Sequence, residues 1–162
     1  MTGENSAYGL LAALAIALVI AAATDLRSRR IDNWLTFGIA ALAPLFWWAS
    51  GLSLWPEVAL QAAVAGAAFL ALAGLFALGA MGGGDVKLLT ALALWLPWLP
   101  FLKLVVAMAL IGGVLTVAAA AWHRAARREG RVEVPYGVAI SAAGLWVLAS
   151  TYGLPTVLGG GT

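Results

Sequence analysis

Six uncharged apolar stretches, most of them close to the length of a membrane-crossing helix, constrain this chain more than any other feature. An apolar helix needs about 20 residues to cross a hydrocarbon core about 30 Å thick. The stretches run Ala7 to Thr24, Trp34 to Ser50 (broken only by Pro44), Val58 to Gly79, Leu88 to Leu102, Leu104 to Trp122 and Val134 to Gly153. The fourth carries Pro97 and Pro100, which can end a helix early. The expected fold class is all-α: a polytopic membrane helix bundle of about six transmembrane helices, one domain over residues 1–162. Only 10% of residues are charged, against about 25% in soluble domains. No polar segment is long enough for a separate soluble domain.

Charge placement orients the spans. With the N-terminus outside, Arg27, Arg29, Arg30, Lys87, Arg124, Arg127, Arg128 and Arg131 all fall in inside connections, and only Lys103 falls outside. Lys and Arg beside short spans resist translocation, so both chain ends are expected outside. Trp34 and Trp122 then lie at the inner interface, and Trp55, Trp95 and Trp98 near the outer one, where amphipathic indoles settle. A cleaved signal peptide is not expected, since the first run lacks a preceding basic region. The basic pI near 9.4 reflects this topology rather than a nucleic-acid surface. Small residues in the third and fifth runs (Ala63, Gly66, Ala67, Ala71, Gly74, Gly112, Gly113) are read as positions of close helix packing.

The chain has no cysteine and a single histidine, His123, which excludes disulfides, thiolate metal sites and multi-histidine clusters. His123 reads as an interfacial residue. Of seven carboxylates, Glu4, Glu57, Glu129 and Glu133 read as solvated loop charges, leaving Asp25, Asp32 and Asp85. A carboxylate near hydrocarbon is costly and implies a partner or a task. Asp25 ends the first run; Asp85 follows Met81-Gly82-Gly83-Gly84. The topology puts both at the inner face. Two carboxylates brought close cannot both ionise easily, so one can hold a proton while the other draws one from water. The consecutive glycines permit unusual backbone angles and leave room for an extended substrate strand. A helix dipole behind Asp85 would make it the base-like member and Asp25 the protonated one. Read from the residues alone, an Asp25–Arg29 interfacial pair and an Asp85 helix cap stay as open as catalysis.

Asp25, followed after five residues by Ile31-Asp32-Asn33, resembles the first-aspartate motif of type IV prepilin peptidases. Gly82-Gly83-Gly84-Asp85-Val86-Lys87 resembles their GxGD motif, and Val134-Pro135-Tyr136-Gly137 their Pro-Tyr-Gly segment. The resemblance runs from about Leu11 to Leu148. It implies a metal-independent, cofactor-free aspartic endopeptidase of the inner membrane. Such an enzyme removes the basic leader of a prepilin or pseudopilin at the cytoplasmic face, beside membrane lipid and in possible association with pilus assembly machinery. Asp25 and Asp85 would be catalytic; Gly82, Gly83, Gly84, Lys87, Asn33 and Tyr136 would bind substrate or support the site. Larger members carry a CxxC-containing domain and methylate the new terminus. The cysteine-free chain resembles instead the short form of tight-adherence (Flp-type) pilus systems, in which methyl transfer is not expected. The family commonly has Pro where this chain has Asp32. That residue is read first as an N-cap of the second span with Asn33 as alternative, and otherwise as a rival partner for Asp85. Arg27, Arg29 and Arg30 are read as topology and lipid contacts, with orientation of an acidic substrate residue as the alternative. Two rival functions stay open: a small proton- or solute-conducting protein that uses the same aspartates, and a non-catalytic pilus or secretion assembly factor.

Overall fold

The computed structural model describes residues 2–125 and 136–153. Those residues form six α-helices and no strand: α1 (Thr2–Ser28), α2 (Asn33–Ala49), α3 (Ala59–Ala77), α4 (Gly83–Ala93), α5 (Trp98–Ala125) and α6 (Tyr136–Tyr152). A five-residue turn, Leu54–Val58, leads into α3. The all-α bundle expected from the apolar runs is present. Arg127, Arg128, Glu129, Arg131, Glu133, Val134 and Pro135 lie outside the described residues.

Three helices, α1, α5 and α3 with its leading turn, are long and apolar enough to cross a membrane. The fourth expected run is not one helix. α4 begins earlier, at Gly83, and stops at Ala93, while Trp98 to Leu102 belongs to α5. Pro97 is the cause: it disfavours helical angles at the residue before it. Pro100 sits in the first turn of α5, where a missing N–H costs nothing. Lys103, expected in a loop, is consequently an exposed residue of α5. At 1.5 Å per residue the 11 residues of α4 reach only about 16 Å, about half of a hydrocarbon core.

This short helix is nevertheless the centre of the bundle. Val86, Leu88, Leu89, Ala91, Leu92 and Ala93 are all buried, and α4 packs on α2, α3, α5 and α6. The apolar second half of α4 is enclosed by its neighbours, so its last carbonyls end away from water. Side chains of neighbouring helices satisfy them. Trp47 of α2 donates its indole N–H to the Leu94 carbonyl at 2.8 Å, and buried Gln61 of α3 donates its amide to Leu94 at 3.2 Å and Ala93 at 3.4 Å. Trp95, expected at the outer interface, is instead 1% exposed. It stacks on Phe46 with ring centroids 5.0 Å apart and donates to the Ile39 carbonyl at 2.8 Å. Trp34, Trp55, Trp98 and Trp122 are exposed, as interfacial indoles are.

The small residues divide. In α3 the inward residues are Gln61, Ala65 and Leu72. Ala63, Ala67 and Ala71 are exposed, and nothing lies within 4 Å of a Cβ built at Gly66 or Gly74. They are not packing positions, because α3 meets the bundle along its other face. Gly113 is equally open, whereas a Cβ at Gly112 would lie 2.9 Å from the Tyr136 ring. α6 is wedged between α1 and α5. Its approach to α1 is fixed at two glycines a heptad apart: a Cβ at Gly137 would meet Asp25 at 2.8 Å, and one at Gly144 would meet Leu18 at 3.0 Å.

Candidate active site

Four chain segments converge at one end of the bundle: the end of α1, the α1–α2 connection, the start of α4 and the start of α6. α1 stops because Arg29 adopts a left-handed conformation, φ 53, a common way to end a helix. The turned chain brings Arg29, Arg30, Ile31 and Asp32 around a cavity of about 590 Å³. Asp25, Asn33, Gly82, Gly83, Gly84, Asp85 and Tyr136 complete its lining. Seven of the eight predicted site residues therefore share one cavity. Lys87 is the exception: it points to the other side of α4 and donates to the Asn33 Oδ1 at 2.8 Å. That contact ties the start of α4 to the start of α2.

Asp25 is 6% exposed, and its burial has a specific cause. It lies against the first turn of α6, where Gly137 has no side chain to exclude it. The Val138 N–H, one of the donors left free at a helix N-terminus, donates to Asp25 Oδ2 at 3.2 Å. An ionised carboxylate accepts only, so it matches this donor.

Asp85 stands in the first turn of α4. The Gly82 backbone N–H donates to its carboxylate, the acid-to-cap half of a capping box. A Cβ at Gly82 would lie 3.0 Å from Asp85 Oδ2, one at Gly83 3.3 Å from the Phe76 ring, and one at Gly84 3.3 Å from Ile31. The triple glycine thus lets three neighbours close on one turn. Burial, reinforced by the negative charge of Asp25, raises Asp85 to about 6 against the lowering effect of the Gly82 bond. The α4 dipole alone would favour the ionised form of Asp85; desolvation and a like charge act against it.

Asp32 occupies the N-cap position of α2, its carbonyl accepting from Leu35 and Thr36 at 3.2 and 3.3 Å, but its side chain makes no capping bond. It is exposed at the cavity edge. Arg29 and Arg30, read as topology signals, also line the cavity. In the sequence Gly137 shows only as the end of the Pro-Tyr-Gly segment; its contact with Asp25 and the Val138 N–H bond emerge from the fold. Tyr136 is 41% exposed, packs its ring over Gly112 and lies 3.4 Å from the Thr116 hydroxyl. Among the described residues no group of three or more His, Cys, Asp or Glu is arranged to hold a metal ion.

No curated protein and no solved structure matches the chain. A family model does, from residue 12 to residue 117. Since that match spans well over half of the chain and includes both buried-end aspartates and the glycines between them, the protein belongs to the type IV leader peptidase family.

Proposed function

We propose that this membrane protein is an aspartic endopeptidase that cuts the leader from type IV prepilins, with Asp25 and Asp85 as its catalytic pair. Membership of a peptidase family supports the reaction class. The observation that carries the residue assignment is that two carboxylates from different helices line one cavity, with the charge of one raising the other. Asp85, raised to about 6, is the member that carries the proton in the reactive form. Asp25, accepting from Val138 N–H, removes one from water, and the water attacks the peptide carbonyl. Asp85 donates to the carbonyl oxygen, giving a gem-diol; as the C–N bond breaks, Asp25 delivers its proton to the departing amine and Asp85 recovers a proton from one of the two hydroxyls. The open turn at Gly82–Gly84 gives an extended peptide access to both carboxylates.

We assign the site to the cytoplasmic face of the inner membrane, with both chain ends outside, on the strength of the basic cluster Arg27, Arg29 and Arg30 beside it. The test is leader removal from a co-expressed prepilin, followed as a size shift. Asp25→Asn and Asp85→Asn are each expected to abolish it with the protein still folded, while Asp32→Asn, at an exposed position, retains it. Normal cleavage by either of the first two variants defeats the assignment.

A further inference from the structure

Ser141 is a buried polar group that the proposed chemistry does not use. It lies in α6, is 1% exposed, and its hydroxyl has no hydrogen-bond partner. A serine within a helix ordinarily returns its proton to the carbonyl one turn earlier; Thr24, Ser28, Thr90 and Thr116 in this chain do so. Ser141 does not, and leaving a buried hydroxyl unmatched is unfavourable.

Its location gives it a use. α1 and α6 run antiparallel, in register at two points seven residues apart on both helices: Asp25 against Gly137, and Leu18 against Gly144. Ser141, four residues beyond Gly137, falls between those points on the same face. It is therefore level with Ala21, a small and fully buried residue. Residues four apart on a helix have Cβ atoms about 5–6 Å apart, so Ser141 lies one turn further into the membrane than Asp25. Two hydrogen bonds of about 2.8 Å through one water cover that span.

We propose that Ser141 is a positioning residue for the peptidase site: through one buried water it donates a hydrogen bond to the Asp25 carboxylate from the membrane side. With Val138 N–H holding Oδ2, this second donor fixes the plane of the carboxylate that faces the attacking water. The inference rests on the peptidase reading for its catalytic consequence, but not for the hydrogen bond itself.

Two measurements test it. In the cleavage assay, Ser141→Ala and Ser141→Val are expected to lower kcat roughly ten- to a hundred-fold, the worth of a hydrogen bond to a charged group, with KM little changed. Ser141→Thr, which has the shape of valine but keeps the hydroxyl, restores kcat to within about threefold, a tolerance far smaller than the loss of such a bond. Equal kcat in the Thr and Val variants, at either level, or a loss confined to KM, overturns the proposal. The second measurement needs no activity: the infrared carboxyl band assigned to Asp25 (the band lost in Asp25→Asn) is expected to move between Ser141→Thr and Ser141→Val. An unmoved band overturns the proposal even if the protein cuts no pilin. A moved band in a protein without peptidase activity leaves the hydrogen bond standing and removes only the reading of the reaction.

Discussion

Gly137→Ala is a one-carbon change whose effect follows from measured distances. The added Cβ would stand 2.8 Å from Asp25 Cγ, 2.8 Å from Oδ2 and 3.0 Å from Cβ. Cγ and Cβ are the root of the side chain, so no rotation of Asp25 clears all three contacts. α1 and α6 have to separate, and Leu18 against Gly144 resists that further along the same seam. Overpacking of this kind costs about 1–3 kcal/mol. Pulling Asp25 off the Val138 N–H adds about 1.5–3 kcal/mol for a hydrogen bond to a charged group. Replacing a helical glycine returns about 0.5–1 kcal/mol. The net expectation is a loss of about 2–5 kcal/mol of stability by the same terms. The hydrogen-bond part alone corresponds to a fall in kcat/KM of roughly ten- to a hundred-fold. Thermal unfolding in detergent reads the first quantity and prepilin cleavage the second. Gly113→Ala is the internal control: its Cβ meets nothing within 4 Å, so it is expected to be neutral or slightly stabilising. A Gly137→Ala protein that melts and cleaves like wild type refutes the claimed contact between α6 and Asp25.

Asp85 must stay protonated in the proposed reaction, so raising the pH through its value of about 6 removes the active form. The alkaline limb of kcat/KM, which reports the free enzyme, is expected near that pH; the limb of kcat lies higher, because bound substrate further desolvates the carboxyl. A kcat/KM that stays flat from pH 5 to about 8 contradicts the assignment. Gln61→Met removes the amide that satisfies the end of α4 and is expected to lower stability by about 1–3 kcal/mol, the cost of an unmatched buried carbonyl, as seen in thermal unfolding. Because the chain has no cysteine, single-cysteine variants test orientation without a background: Arg30→Cys is expected to label only from the cytoplasm and Glu57→Cys, in the exposed turn before α3, only from outside. Labelling of both from one side would sink the topology.

Much of this was legible in one dimension because membrane helices are specified by the solvent around them. Long apolar runs mark α1, α3 and α5, and charges gathered near the connections, Lys103 within α5 apart, mark their ends. The two aspartates stood out because so few carboxylates were available. The extent of α4 was not legible. Its sequence is as apolar as that of a span, and only tertiary contact reveals that Leu88, Leu92 and Trp95 face protein on every side rather than lipid. The small residues of α3 misled for the related reason that alanine suits lipid and helix contact alike. The partner of Asp25 was hidden too: a backbone N–H has no letter in the sequence, and Gly137 reveals it only once α6 lies against α1. The direction of the Asp85 shift depended on burial, which spacing does not encode.

The far end of α4 sets the depth of Asp85 by means other than lipid. A helix that crosses a bilayer adjusts its tilt to the thickness around it. α4 stops partway, held by Gln61 and Trp47 at its last carbonyls and by the Lys87–Asn33 contact at its start. The carboxyl it carries is therefore referenced to α2 and α3, and its depth is decoupled from the tilt that lipid thickness sets in the helices that do cross.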